Sequence, residues 1–185
     1  MNRKKNESVR DRILATASRL FYKQGYANTG INQITAESGV VKSTLYQQFR
    51  SKEELLIAYL EQVGNQLNAE LSCKIEPFEQ PEERILSVFD FLKELMSGEE
   101  YYGCNFLNII SETPEDAVVI RAQILKQKNN IRELFQELLK PLGKTHLSDE
   151  LYILFEGALI ANKVHHELWA VDKAKNMVIL LLKHT

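Results

Sequence analysis

Apolar residues recur at intervals of three and four along nearly the whole chain, and no stretch alternates apolar with polar residues. Spacings of three and four put side chains on one face of an α-helix, whereas a half-buried strand needs a spacing of two. Few breakers interrupt the pattern, with only eight glycines and four prolines among 185 residues. An all-α fold of about nine helices is therefore expected.

The stripes and their stops divide the chain. Val9, Ile13, Ala17, Leu20 and Phe21 form the first stripe, and Gly25 is its stop signal. Ile31 and Ile34 open a short second helix that ends at Gly39, and a third is expected from Val41 to Arg50. Ser51 and Glu54 have capping-box spacing, and Leu55, Leu56, Tyr59, Leu60, Val63 and Leu67 follow. Ser72 to Gln80 is the expected break. Further helices are expected over Pro81 to Ser97, Cys104 to Ser111, Glu115 to Leu139, Ser148 to Trp169 with Ser148 as cap, and Asp172 to Lys183 with Asp172 as cap.

The segment from Ile31 to Phe49 is helix, glycine turn, helix, the sequence form of a helix-turn-helix. Leu45 and Phe49 lie four apart, so they share one face and can pack on Ile34 and the first helix. The opposite face carries Lys42, Ser43, Tyr46 and Gln47. A core helix needs a wider apolar stripe than that. Lysine can pair with phosphate or a guanine edge, glutamine with adenine, and hydroxyls with phosphate oxygens. Double-stranded DNA is the expected partner of this face.

Charge is distributed accordingly. Met1 to Lys52 holds ten Lys or Arg against three acids, whereas Glu53 onward holds thirteen against twenty-two. Only the first part is suited to a polyanion. The longest apolar run, Met177 to Leu182, is far short of the roughly 20 residues a membrane span needs. Met1 to Asn6 is basic but leads into no apolar segment, so no secretory signal is expected. Two cysteines, Cys73 and Cys104, do not make a disulfide framework, and reduced thiols in a cytoplasmic protein are expected. The sequence holds no paired acid and base, no nucleophile elbow and no phosphate loop, so neither an enzyme nor a cofactor site is expected. His165 and His166 point about 100° apart on a helix and cannot readily share a metal.

Ile13-Leu14 through Phe21-x-x-x-Gly25-Tyr26, then Thr29, Ile34, Gly39-Val40, Lys42-x-Thr44-Leu45-Tyr46-x-x-Phe49 and Ser51-Lys52-Glu53-Glu54-Leu55 resemble the N-terminal domain of the tetracycline-repressor (TetR/AcrR) family. The resemblance covers about Val9 to Leu60 and implies a three-helix DNA-binding head (1–52) and a helical ligand-binding and dimerisation domain (53–185). It implies that Val41, Lys42 and Ser43 approach base edges, and that Thr44, Tyr46, Gln47 and Lys52 hold the phosphate backbone. Gly30 stands where many members have a capping Ser or Thr, which makes Thr29 the candidate for that phosphate contact. Val41 replaces a usual small polar residue, so an operator sequence does not carry over from relatives.

The resemblance also implies a homodimer and a ligand cavity. Leu151, Leu154, Phe155, Ala158, Asn162 and Trp169 form one broad stripe, and Met177, Val178 and Leu181 another. The residues alone allow a monomer core or a partner surface, and the resemblance implies the two-fold interface that the family's last two helices make. Phe89, Leu92, Met96, Tyr101, Tyr102, Cys104 and Phe106 have two readings, core filling or the lining of a pocket for a small inducer. No Lys, Arg or His lies close to Cys104 in sequence, so nothing local prepares its thiol for redox chemistry.

Overall fold

A computed structural model describes residues 8–184. The basic stretch Met1 to Asn6 lies outside the described residues. Nine α-helices occur among the described residues, and no strand. They are α1 (Val9–Gln24), α2 (Ile31–Ser38), α3 (Lys42–Gln48), α4 (Lys52–Ile75), α5 (Pro81–Met96), α6 (Asn105–Glu112), α7 (Val118–Leu139), α8 (Ser148–His165) and α9 (Trp169–His184).

The helix ends follow local chemistry. Ser8 and Asp11 form a capping box at the start of α1, each side chain bonding the other's backbone N–H. Before α4, Ser51 Oγ accepts the Glu54 N–H at 3.0 Å, while the Glu54 carboxylate accepts the Arg50 N–H at 2.8 Å. Pro141 and Gly143, the latter at φ 68°, close the chain after α7 through a short 3₁₀ turn. A second 3₁₀ turn, Thr145–Leu147, leads into α8.

Several expected boundaries shift. Helix α4 continues to Ile75, through the start of the expected break. Helix α7 begins at Val118, because residues 115–117 form a turn after Pro114. The largest correction is at the end of the chain. Helix α8 stops at His165, where His166 takes a left-handed conformation at φ 55° and the Asn162 amide donates to the Glu167 carbonyl at 3.0 Å. Trp169 therefore opens α9, and Asp172 lies in its first turn instead of capping it. Ser148 makes no capping bond at α8.

The chain forms two compact units. One runs to Val63 and takes in Asn105–Ile124; the other comprises Gly64–Cys104 and the chain from Leu125 onward. The unit holding the helix-turn-helix is thus larger than the expected 1–52. It includes the first half of α4 and all of α6, because Leu55, Leu56, Tyr59, Leu60, Phe106 and Ile109 are buried with Ile13, Ala17, Leu20 and Phe21. In the second unit α9 packs on α5 and α8. Its centre is a trio of rings, Phe89, Phe135 and Phe155, with centroids 5.9 to 6.2 Å apart. Across α5 and α9, Lys93 pairs with Asp172 at 2.6 Å and Lys175 with Asp90 at 2.5 Å.

Candidate nucleic-acid interface

The turn between α2 and α3 is built on Gly39. Its φ of 66° and ψ of 31° are left-handed, where glycine carries no Cβ penalty. That geometry lets the Gly39 N–H reach the Ala36 and Thr35 carbonyls, and the Val40 N–H reach Thr35 at 3.1 Å. Orphan carbonyls at the end of α2 are thereby satisfied. The chain leaves the turn extended at Val41 and enters α3 at once.

Leu45 and Phe49 are fully buried, as expected, and hold α3 from behind. The Arg10 guanidinium lies 4.3 Å over the Phe49 ring, a cation–π contact from α1. On the front, Lys42, Ser43, Tyr46 and Gln47 are exposed and Thr44 is half-buried. Val41 is 66% exposed with no polar side-chain contact to its helix. Lys42, Ser43, Tyr46 and Gln47 thus form an open polar face, with exposed Val41 and half-buried Thr44 beside it.

Two expected phosphate contacts are not on that surface. Thr29 is fully buried. Its hydroxyl donates to the Gly25 carbonyl at 2.7 Å and accepts from the Gln24 amide at 3.2 Å, so it is spent inside the head. Gly30 caps α2 with no side chain in its place. Lys52 is also turned inward. Its ammonium donates to the Tyr26 carbonyl at 2.6 Å and lies 4.1 Å from the centroid of the Tyr26 ring. Burial pushes the Lys52 pKa down, and Glu112 offsets part of that.

Polar links that sequence reading missed brace α1 against α2. Gln24 donates to Gln33 at 2.8 Å, Gln33 donates to Glu37 at 2.9 Å, and Arg19 pairs with Glu37 at 2.5 Å. The Gln33–Glu37 spacing of four was a legible helical pair. Its partners on α1 were not, because only folding brings them near.

The expected pocket residues are divided. Phe106 belongs to the first unit; the others belong to the second. Phe89, Leu92 and Met96 are buried, with Phe89 in the ring trio. Tyr101 and Tyr102 are half-buried, and Lys163 donates to the Tyr102 carbonyl at 3.0 Å. Cys104, which has no basic neighbour in sequence, has one in space: the Lys128 ammonium is 3.7 Å from its sulfur. A surface cleft of about 610 Å³ lies elsewhere in this unit, lined by Ala69, Glu70, Cys73, Lys74, Phe91, Glu94 and Leu95 of α4 and α5. None of the expected pocket residues lines it.

The expected dimer residues also divide. Leu151, Phe155, Ala158, Asn162 and Val178 are buried inside the protomer, so they are core and cannot meet a second copy without repacking. Leu154 and Leu181 are half-buried, while Trp169 and Met177 are exposed. The open apolar face is instead Ile153, Gly157, Ile160 and Val164 on α8, at spacings of four, three and four, with Trp169, Met177 and Leu180 on α9. The broad apolar stripe wraps more of α8 than one neighbour can cover. Sequence alone did not say which edge faced inward.

A glycine-turned helix pair, buried behind and exposed in front, has the form of a helix-turn-helix. Residues 13–59 match the sequence profile of bacterial regulatory proteins, tetR family. The HTH-type transcriptional regulator LmrA of Bacillus subtilis is 40% identical over 46% of this chain and 45% of its own length. An uncharacterised HTH-type transcriptional regulator of Mycobacterium tuberculosis is 36% identical over 46% of this chain and 43% of its own. This chain thus matches less than half the length of these curated relatives. Across nearly the whole fold, a TetR-family transcriptional regulator from Streptomyces coelicolor superposes with a TM-score of 0.88 at 27% identity, covering 95% of this chain and 88% of that one. The N-terminal part of the chain thus carries the tetR-family sequence profile, and these relatives are transcriptional regulators.

Proposed function

We propose that the chain is a cytoplasmic repressor that binds a near-palindromic operator as a homodimer and is released by a small apolar or amphipathic molecule. The observation that carries the DNA reading is the open face of Val41, Lys42, Ser43, Thr44, Tyr46 and Gln47 over the buried anchors Leu45 and Phe49. On this reading each protomer lays α3 in a major groove, and two-fold symmetry sets half-sites about one helical turn apart. The exposed stripe of Ile153, Gly157, Ile160 and Val164, with Trp169, Met177 and Leu180, supports a second copy of the chain as the partner of α8 and α9. No described helix is long and apolar enough to cross a membrane.

Release by a ligand requires that it bind one conformation more tightly than the other. Gly103, at φ 98°, sits between the half-buried tyrosines and α6, and this segment is the place proposed for inducer contact. A second reading, a regulator without a small ligand, is favoured by one observation: Phe89, Leu92 and Phe106 are at most 2% exposed and already fill a core.

Sequencing the fragments that the full chain retains from its own genome tests the DNA reading. Recovery of one near-palindromic motif supports it, and retention of no enriched sequence rejects it. Tyr102→Trp separates the two ligand readings once an inducer is found: blocked induction with intact operator binding supports the Tyr102 segment, and normal induction removes it.

A further inference from the structure

Three consecutive residues in the turn after α1 lie against distant side chains, and two of them are bonded by them. At Gly25, φ is 92°, and a Cβ would lie 2.8 Å from Glu112 Oε1 and displace that carboxylate from its present position. At Tyr26, the carbonyl and the ring both receive the Lys52 ammonium. At Ala27, the backbone N–H donates to Glu112 Oε2 at 2.7 Å. Lys52 is the first residue of α4 and Glu112 the last of α6, and all of these groups belong to one compact unit.

Glu112 stands where a helix disfavours it. A carboxylate at a helix C-terminus faces the negative end of the macrodipole. Here the Ala27 N–H and the attraction between Glu112 and Lys52 compensate. Glu53, which acts on Tyr26, is the other charge at this turn. The turn in turn sets α2. Thr29 donates from its hydroxyl to Gly25 and from its N–H to Tyr26, at 2.7 and 3.2 Å, one residue before the Gly30 cap. The Tyr26 ring meets Phe21 edge-on at 5.3 Å, and Phe21 meets Tyr59 at 5.7 Å, which ties the turn to the core.

We propose that Glu112 and Lys52 are positioning residues for the DNA-reading head: together they clasp the Gly25-Tyr26-Ala27 turn, and Lys52 is thereby engaged inside the head instead of on phosphate. The clasp deepens the DNA-binding reading and rests on it only for its effect on affinity. Two groups reach the turn from helices far away in sequence, so α2 and α3 are oriented by α4 and α6 and not by their own short contacts alone.

Amide hydrogen exchange on the full chain tests the clasp without DNA. Glu112→Ala is expected to speed exchange at Ala27 by about tenfold or more, while Val40, bonded to Thr35 within the α2 turn, stays within about twofold. Glu112→Gln keeps a carbonyl acceptor and should restore most of the Ala27 protection, which general destabilisation would not do. Unchanged Ala27 exchange in Glu112→Ala overturns the proposal, as does equal acceleration at Val40. The DNA arm uses a random-sequence duplex of about 30 base pairs, whose affinity falls with salt in proportion to the phosphates neutralised. Lys52→Gln should lower affinity yet leave the slope of log affinity against log salt unchanged, as for a side chain that neutralises no phosphate. A slope flattened by Lys52→Gln puts Lys52 on phosphate and overturns the proposal. If the unmodified chain retains no duplex at any salt, the DNA reading fails, and the exchange result at Ala27 still decides the clasp.

Discussion

The Lys128 ammonium reaches both carboxylate oxygens of Glu156 at 2.8 Å, and the two side chains are only 14% and 19% exposed. Burial opposes the Lys128 charge, but the Cys104 sulfur and the Glu156 carboxylate outweigh it and raise the pKa above lysine's ordinary 10.5. The folded state therefore holds this proton more tightly than the unfolded chain. The resulting stability is complete below about pH 10.5 and is lost as pH rises through the folded value. Tyr152, raised from 10.0 by burial and then by Glu156, acts in the same direction. Thermal melting between about pH 9 and 12 should show the loss, and Lys128→Met should flatten it. An alkaline limb unchanged by Lys128→Met would assign the loss to other groups.

The ring trio predicts a large core effect. Phe135 is fully buried, with Phe89 and Phe155 at 5.9 and 6.0 Å. Phe135→Ala should destabilise the fold by about 3–5 kcal/mol through lost burial and a cavity. Denaturant unfolding measures it, and a cost below about 1 kcal/mol would mean that the site collapses around the gap.

Burial separates two kinds of α8 variant. Ile160, half exposed on the open stripe, should tolerate glutamate in the fold but give monomers by sedimentation and a large loss of operator affinity. Leu151→Glu, at a site with no exposure, should instead unfold the protomer. A dimeric Ile160→Glu at micromolar concentration would place the two-fold contact on another face.

DNA contacts on α3 should divide by chemistry. Tyr46→Phe removes one hydroxyl and should weaken binding about equally on all sequences, since phosphate carries no base identity. Removing a base-edge contact should relax preference at one operator position, at a cost of about 1–3 kcal/mol there. Lys42→Ala is the variant to compare, with affinities read on the retained motif and on single-base changes. Equal losses on every sequence would assign Lys42 to phosphate as well.

Sequence alone determined much of what depends on near neighbours along the chain, though not the local break at His166 that ends α8. A three- and four-residue period is a local geometric property, so the all-α class was legible. So were the glycine turn at Gly39 and the inward face of Leu45 and Phe49, because their spacing and backbone needs are complete within one helix turn. Tertiary structure decided what depends on which groups meet across the fold. Thr29 and Lys52 looked suited to phosphate, but a side chain bonds whatever the fold places nearest, and here that is Gly25, Gln24 and Tyr26. The same reason put Lys128 beside Cys104 and Glu112 against Ala27, 24 and 85 residues apart in sequence. It also turned Leu151 and Phe155 inward and left Ile153 and Ile160 open, since an apolar stripe broader than its neighbour can cover does not specify its own buried edge.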